Sequence, residues 1–537
     1  MLSNSLAFHD KRVVYISFLA FGLGSYYVYK KILPLFLRDH KQVWKKIPFI
    51  KKKVENEIQK MKERNDEDDK SYYNKLIEKL WANGITKVDI ANINTIQNVG
   101  YNKETLMTYL QTLKDMDTMP KLISGTMYDD HENKHKEIMQ TAYNLYAYTN
   151  PMHIDLFHSV VFMEKNLIVM ISKLLGNAEH QCGSITNGGT ESIFLALKTY
   201  RDMKCASMSS GLFKNTHHEN VHKINVVAPD TVHCSVDKLC HYLNVELIKI
   251  KSNHEHRVTI CDILKTVNEY TACVVLSAPS YGFGIMDDVE HISPAMKERD
   301  IPVHVDACLG GFVWMFQERE IASKYSFCVD GVTSISACLH KYGYSQKGVS
   351  CILYRDESYL KYQYFVTADW DGGLYVSPTI LGSRSGGLVA QAWAGFLSRG
   401  YKEYQDSSNK IIQVANYAHE KLQLVNECRV HPLDLHIVCF DVGKDTYKLY
   451  DYLVTKGFHL NALQNPAAIH LCVTKTHDEC IIDSMVKEIE IFIQCKDALQ
   501  YKEDLAPIYG MKASIPIYTS EILNECISSY LINKYST

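Results

Sequence analysis

The sequence predicts an α/β fold: a large domain on a mainly parallel sheet, a smaller C-terminal α/β domain and an N-terminal transmembrane helix. Two observations carry the large domain. Five short apolar runs, Ile224–Ala228 (INVVA), Ala272–Leu276 (ACVVL), Ile301–Val305 (IPVHV), Val332–Ser336 (VTSIS) and Val349–Tyr354 (VSCILY), read as strands, and they are apolar throughout rather than alternating, as in parallel strands covered on both faces. Segments such as Glu191–Arg201 and Val289–Arg299 between them are long enough to be crossover helices. A third observation carries the anchor: the run 13–29, VVYISFLAFGLGSYYVY, has no charge.

Taken in order, that 17-residue run is at the short end of what spans a bilayer, with Tyr26, Tyr27 and Tyr29 clustered as an interfacial belt. No small-residue cleavage site follows it; Lys30, Lys31 and Pro34 come next, which speaks against a cleaved signal peptide. Only Lys11 and Arg12 precede the run closely, whereas Arg38, Lys41, Lys45, Lys46 and Lys51–Lys53 follow, so the bulk of the chain is expected on the cytosolic side. The expected division is an anchor at 1–37, a basic linker and helical arm at 38–119 (with a charged helix at 54–69), a large domain at 120–390 and a small domain at 391–537, where 435–440 and 468–473 read as strands.

Composition limits the function classes. The 537 residues are 46% hydrophobic and 22% charged with a formal net charge of −3, an ordinary globular balance that carries no electrostatic sign of nucleic-acid binding. The sixteen cysteines show no paired CxxC spacing, which argues against a zinc site and for a reducing compartment.

In open α/β sheets, functional groups gather at the carboxyl ends of strands. TNGGTES (186–192) places Gly189 and Thr190 at a helix start, where free backbone N–H groups can cradle a phosphate; it matches neither a P-loop nor a dinucleotide fingerprint. HVDAC (304–308) ends a strand on Asp306, a costly near-buried charge unless a cation such as a protonated pyridine nitrogen pairs with it. His233 follows another strand and can stack on a flat ring, although a structural histidine or an aspartate capping a turn would be the commoner reading of either residue alone. SISACLHKYGYSQKGVS (334–350) puts Lys341 at a strand terminus, where lost hydration predicts a lowered pKa and an available amine. Phosphate cradle, ring-nitrogen partner, stacking side chain and lysine nucleophile together are what pyridoxal 5'-phosphate requires.

In these segments and several others the sequence resembles the sphingosine-1-phosphate lyases, within the pyridoxal-phosphate enzymes that also include amino-acid decarboxylases. The resemblance rests on SGTMY, NPMHIDLF, TNGGTES, APDTVH, HVDACLGGF, VTSIS…HKYGYSQKG, ADWDGGLYVSPTILGSRSGG and IYGM, from about Ser124 to Met511. It implies a fold-type I large domain in which Lys341 carries the cofactor covalently, Asp306 pairs with its ring nitrogen, His233 stacks on the ring, and Gly189, Thr190 and His340 hold its phosphate. Tyr128 and Lys347 would be catalytic, Asn150 and His153 would lie near the substrate phosphate, and Ser383 and Arg384 would lie at the subunit boundary of a homodimer. The implied reaction is retro-aldol cleavage of the C2–C3 bond of a phosphorylated sphingoid base to a fatty aldehyde and phosphoethanolamine, at the endoplasmic reticulum membrane. An amino-acid decarboxylase and a silent membrane-tethered homologue are the alternatives.

Three departures stand out. Cys338-Leu339 replace the family's usual aspartate-threonine pair, Ile154 replaces a common proline, and Asn187 stands where serine or glycine is usual. The first is expected to reduce cofactor affinity.

Overall fold

A computed structural model of the chain describes residues 98–117, 119–129, 132–208, 223–496, 498, 499 and 528. The expected anchor at 13–29, the charged helix at 54–69 and the IYGM motif at 508–511 lie outside the described residues. Among the described residues no helix is long and apolar enough to cross a membrane. The chain divides into two compact units, Met1–Thr118 with Lys502–Thr537, and Met119–Tyr501. In the first, helix α1 (Lys103–Lys114) begins where Asn102 Oδ1 accepts the Thr105 amide at 2.8 Å, satisfying a donor that the helix itself cannot.

The second unit is built on a seven-stranded sheet: β1 (Cys182–Thr186), β2 (Asn225–Pro229), β3 (Glu246–Ile250), β4 (Thr271–Ser277), β5 (Val303–Asp306), β6 (Val332–Ala337) and β7 (Ser350–Tyr354), in the order β1-β7-β6-β5-β4-β2-β3. The pairs from β3 through β6 are parallel, and β7 alone is reversed, antiparallel to both β6 and β1. All five expected strands are present within a few residues. Every residue of β2, β4 and β7 is buried, which is why these strands carry no polar alternation.

The two strands that the sequence left unmarked are the edges of this sheet. β3 (ELIKI) is the outermost strand, with one neighbour only, and its Glu246 and Lys249, on opposite faces, are exposed. β1 (CGSIT) lacks an apolar run because Gly183 sits where a Cβ would collide with the Ile352 carbonyl oxygen of β7.

Helices α2 (Asn133–Tyr146), α3 (His158–Leu174), α4 (Gly189–Met208), α5 (Ser235–Leu243) and α6 (Val289–Lys297) accompany the sheet. Helix α7 (Gly386–Gln423) is interrupted at Gly400 (φ 65°), and the expected domain boundary at 390/391 falls inside it. Beyond it lies an antiparallel sheet of β8 (Arg429–Val430), β9 (Ile437–Asp441), β10 (Asn461–Leu463) and β11 (Ala468–Cys472), ordered β8-β9-β11-β10, with α8 (Thr446–Thr455) and α9 (Glu479–Cys495). The expected strands at 435–440 and 468–473 correspond to β9 and β11.

Several histidines are packed into this core as neutral rings. Burial pushes His304, His470 and His477 down to about 4, and His436, neither of whose ring nitrogens has a hydrogen-bond partner among the described residues, to about 3.

Two predictions follow from the packing. Gly183→Ala forces β1 away from β7 and should cost roughly 1–3 kcal/mol in denaturant unfolding, more than the roughly 0.5–1 kcal/mol gained by removing a strand glycine. Between the ordinary histidine value of 6.5 and about 4, the unfolded chain binds protons that the folded chain excludes. Stability is thus fully present above that window and lost as pH falls through it; a thermal midpoint that stays flat across the window would contradict this.

Candidate active site

The phosphate-cradle segment forms the start of α4. The Gly188 carbonyl accepts the amides of Glu191 at 3.0 Å and Ser192 at 3.1 Å, which leaves those of Gly189 and Thr190 ahead of the helical ladder. Glu191 closes the turn: it accepts the Asn187 amide at 2.6 Å and, with its other oxygen, the Ile380 amide at 2.9 Å. A carboxylate in the first turn is favourable there, and this one also ties the 380 loop to the cradle.

Asp306 ends β5 and is 7% exposed. Its Oδ1 accepts the Cys308 amide at 3.0 Å and the Ser336 hydroxyl at 3.2 Å; among the described residues Oδ2 accepts no hydrogen bond. Burial opposes the charge, but the Cys308 hydrogen bonds and the nearby His233 and His304 rings outweigh it, holding the carboxyl below its usual range.

His233 follows β2. Its Nδ1 accepts the Ser235 amide at 3.1 Å and lies 2.8 Å from the Ser235 hydroxyl, so the neutral ring carries its proton on Nε2. Tyr281 meets it edge-on, with ring centres 5.9 Å apart.

β6 stops at Ala337, so His340 and Lys341 lie in the turn beyond it rather than on the strand. His340 is fixed twice to Val349: its amide donates to the Val349 carbonyl at 3.1 Å and its Nδ1 accepts the Val349 amide at 3.2 Å. The expectation of a lowered Lys341 pKa is not met. Burial does pull it down, but Cys338, Cys308 and Asp306 pull harder the other way and hold the ammonium above its ordinary value. Loss of water was legible in the sequence; the anionic neighbours were not.

The lowered amine is Lys347 instead, depressed by desolvation and by the Lys341 charge. Its Nζ stands 4.7 Å from the centre of the Tyr128 ring. Burial, followed by Cys472, drives the Tyr128 phenol well above its usual range. Cys472 lies between two phenols, with the Tyr342 hydroxyl 3.1 Å from its sulfur.

A cavity of about 630 Å³ gathers Gly189, Thr190, His233, Asp306, His340 and Lys341. Tyr128 and Lys347 are outside its lining but adjoin it electrostatically through Cys338 and Lys341. Asn150, His153, Ser383 and Arg384 form a separate group. Asn150 donates to Ser383 Oγ at 3.2 Å and accepts the Arg384 amide at 3.2 Å, so the residues assigned to substrate phosphate and to subunit boundary are neighbours. His153 is exposed, its amide bonded to the Asn150 carbonyl at 3.0 Å.

The Arg384 guanidinium is committed within the chain, paired with Glu164 at 2.7 and 3.1 Å and donating to the Ile185 carbonyl at 3.0 Å. Cys472, Tyr342 and Tyr281 escaped sequence reasoning. The first lies in an apolar strand run and carries no signal of its own, and the other two are set by long-range packing.

Residues 139–442 match the family model described as the pyridoxal-dependent decarboxylase conserved domain. A sphingosine-1-phosphate lyase of Drosophila melanogaster is 34% identical, covering 94% of this chain and 90% of that protein. The chain belongs to the sphingosine-1-phosphate lyase family. The Rattus norvegicus lyase 1 is 31% identical over 92% of this chain and 84% of its own. Among solved structures, the Burkholderia pseudomallei sphingosine-1-phosphate lyase superposes with a TM-score of 0.69 at 28% identity, covering 76% of this chain and 94% of that one. A Lactobacillus brevis glutamate decarboxylase, at 20% identity and a TM-score of 0.66, shares the fold.

The lyase family's cofactor, pyridoxal phosphate, suits the residues present. Asp306 offers a charged carboxylate with one uncommitted oxygen toward the cavity, and α4 offers amides at its start. Gly189 is needed at that start, since a Cβ there would lie 2.7 Å from Cys308 Sγ and 2.9 Å from Cys338 Sγ. Gly189→Ala must push these sulfurs aside and should weaken cofactor retention about 10-fold or more, read by titrating the yellow absorbance of the purified chain; unchanged retention would remove Gly189 from the cradle.

Proposed function

We propose that this chain cleaves the C2–C3 bond of phosphorylated sphingoid bases, sphingosine 1-phosphate among them, releasing a long-chain aldehyde and phosphoethanolamine. The observation that carries this reading is the convergence of Lys341, Asp306, His233 and the Gly189–Thr190 amides on one cavity in a member of this lyase family. When bound, pyridoxal phosphate supplies the electron sink that lets the bond break.

The chain's own groups then have distinct tasks. Lys341 Nζ would hold the cofactor. Asp306 would keep a positive ring nitrogen favourable, His233 would cover the ring, and Gly189, Thr190 and His340 would hold the phosphate. Lys347 Nζ, with its pKa lowered by desolvation and the Lys341 charge, suits removal of the C3-hydroxyl proton. Tyr128 Oη, kept protonated by burial, suits return of a proton to C2. Asn150 and His153 receive the substrate phosphate.

The same reading includes a homodimer, with Ser383 and Arg384 near the subunit boundary. Its support is the exposed apolar surface beside Asn150: Leu145, Tyr148, Ile154, Leu156 and Phe162 are each at least 60% exposed. It also includes a single-pass anchor at 13–29 in the endoplasmic reticulum membrane with the catalytic part cytosolic, supported by the uncharged run and its basic carboxyl flank. An anchored enzyme meets a substrate with one long apolar chain at the bilayer.

Purified full-length protein should be yellow and should form fatty aldehyde from sphingosine 1-phosphate. Lys341→Ala should lose both properties, whereas Lys347→Ala should keep the colour and lose about 10²–10⁴-fold in kcat. Carbon dioxide released from amino acids in place of aldehyde, or an active Lys341→Ala variant, would sink the reading.

A further inference from the structure

The cavity contains two sulfurs to which the proposed cleavage gives no task. Cys308 follows β5 and Cys338 follows β6, and these strands pair in parallel with Asp306 opposite Ser336, so the two cysteines leave adjacent strand ends in step. Adjacent strands lie about 4.8 Å apart, within the roughly 4.4–6.8 Å between Cα atoms that a disulfide spans. Both sulfurs approach the same point beneath Gly189, 2.7 and 2.9 Å from where its Cβ would lie, while Cys308 Sγ donates to Ser336 Oγ at 3.3 Å and Cys338 Sγ to Ser350 Oγ at 3.4 Å. Both line the cavity.

Their chemistry is unequal. Cys338 is favoured as a thiolate by the neighbouring Cys308 thiol, Lys341 and His340, although burial opposes it, while Cys308 keeps its proton. A thiolate beside a protonated thiol is the pairing of an attacking sulfur with a resolving one. Cys273, Cys351 and Cys439 are also buried, but they do not line the cavity and burial drives their thiols upward.

We propose that Cys308 and Cys338 form a reversible dithiol–disulfide pair in the cofactor cavity, closed by hydroperoxides that enter when the cofactor is absent, and that the closed form takes up pyridoxal phosphate poorly. The inference rests on the cofactor reading of this cavity. In the first step Cys338 sulfur attacks the hydroperoxide, the O–O bond breaks, an alcohol or water leaves and Cys338 becomes a sulfenic acid. Cys308 sulfur then attacks that sulfur, the S–O bond breaks and water leaves with the Cys308 proton. Two thiols are oxidised by one pair of electrons and the hydroperoxide is reduced by the same pair; a thiol reductant reverses the change. The bond joins the segments that carry Asp306 and Lys341, and it removes the thiolate that stabilises the Lys341 ammonium.

The test treats the full chain, cofactor-free and cofactor-loaded, with hydrogen peroxide, then maps thiols by mass spectrometry and measures cofactor uptake by absorbance. The expected result is a Cys308–Cys338 cross-linked peptide in the cofactor-free protein, suppressed in the loaded protein and lost on adding dithiothreitol. Uptake after oxidation should be about 10-fold weaker in the wild type, and in Cys338→Ser should match that variant's own untreated sample.

The proposal is overturned if both thiols stay reduced at a dose that oxidises the exposed Cys234 and Cys261. It is equally overturned if Cys338 links to Cys351 instead, or if wild type and Cys338→Ser lose uptake alike. A protein that forms the bridge and loses uptake but never yields aldehyde would refute the lyase reading and leave the dithiol pair standing.

Discussion

A charged carboxylate held at the buried end of a central parallel strand is the constraint around which this molecule is arranged. Removing Asp306 from water carries a penalty of several kcal/mol that only partners in place can offset. They reach it as one hydrogen-bonded line through the core. Tyr200 on α4 bonds Ser334 at 2.6 Å, Ser334 and Ser336 hold the two nitrogens of His304 at 2.8 and 3.2 Å, and Ser336 donates to Asp306. The line joins the helix that begins at Gly189 to the strand that ends at Asp306. Cradle and carboxylate therefore belong to one buried polar network, in which a partly satisfied member would be costly.

Around that network, ion pairs and helix starts place the remaining groups. Arg384 grips Glu164 and the Ile185 carbonyl, fixing the segment after 380 against α3 and β1. Glu191 holds the same segment from the other side through the Ile380 amide. The segment is clamped twice, and Asn150 is bonded to it at Ser383 and Arg384. This explains how residues distant in sequence, from NPMHIDLF and from SPTILGSRSGG, come to form one group beside the cavity.

The replacement of an acidic-hydroxyl pair by Cys338-Leu339 takes on a different meaning in three dimensions. Leu339 is buried as an apolar residue, while Cys338 lies beside Cys308 under Gly189 and near Lys341. A sulfur that ionises there returns part of the negative charge that an aspartate would bring, and it adds redox chemistry that an aspartate lacks. The raised Lys341 pKa has the same origin. Desolvation alone would have lowered it, and the sign is decided by Cys338 first and then by Cys308, Asp306 and Cys472.

Residue order alone determined the parallel sheet, because fully buried strands must be apolar throughout, and it located Lys341, Asp306, His233 and Gly189, because strand ends and helix starts are local features. It also set the identity of the family, through long motifs that nothing else in the chain resembles. Edge strands β1 and β3 were not legible, since one owes its shape to the close approach of Gly183 to β7 and the other faces solvent. The tertiary structure decided which carboxylate oxygen is free, which lysine is the depressed one, that Arg384 is paired inside the chain, and that Cys308 and Cys338 converge beneath Gly189. Each of these depends on distances between segments far apart in the chain, and electrostatic and sulfur chemistry change sign over a few ångströms that no local pattern encodes.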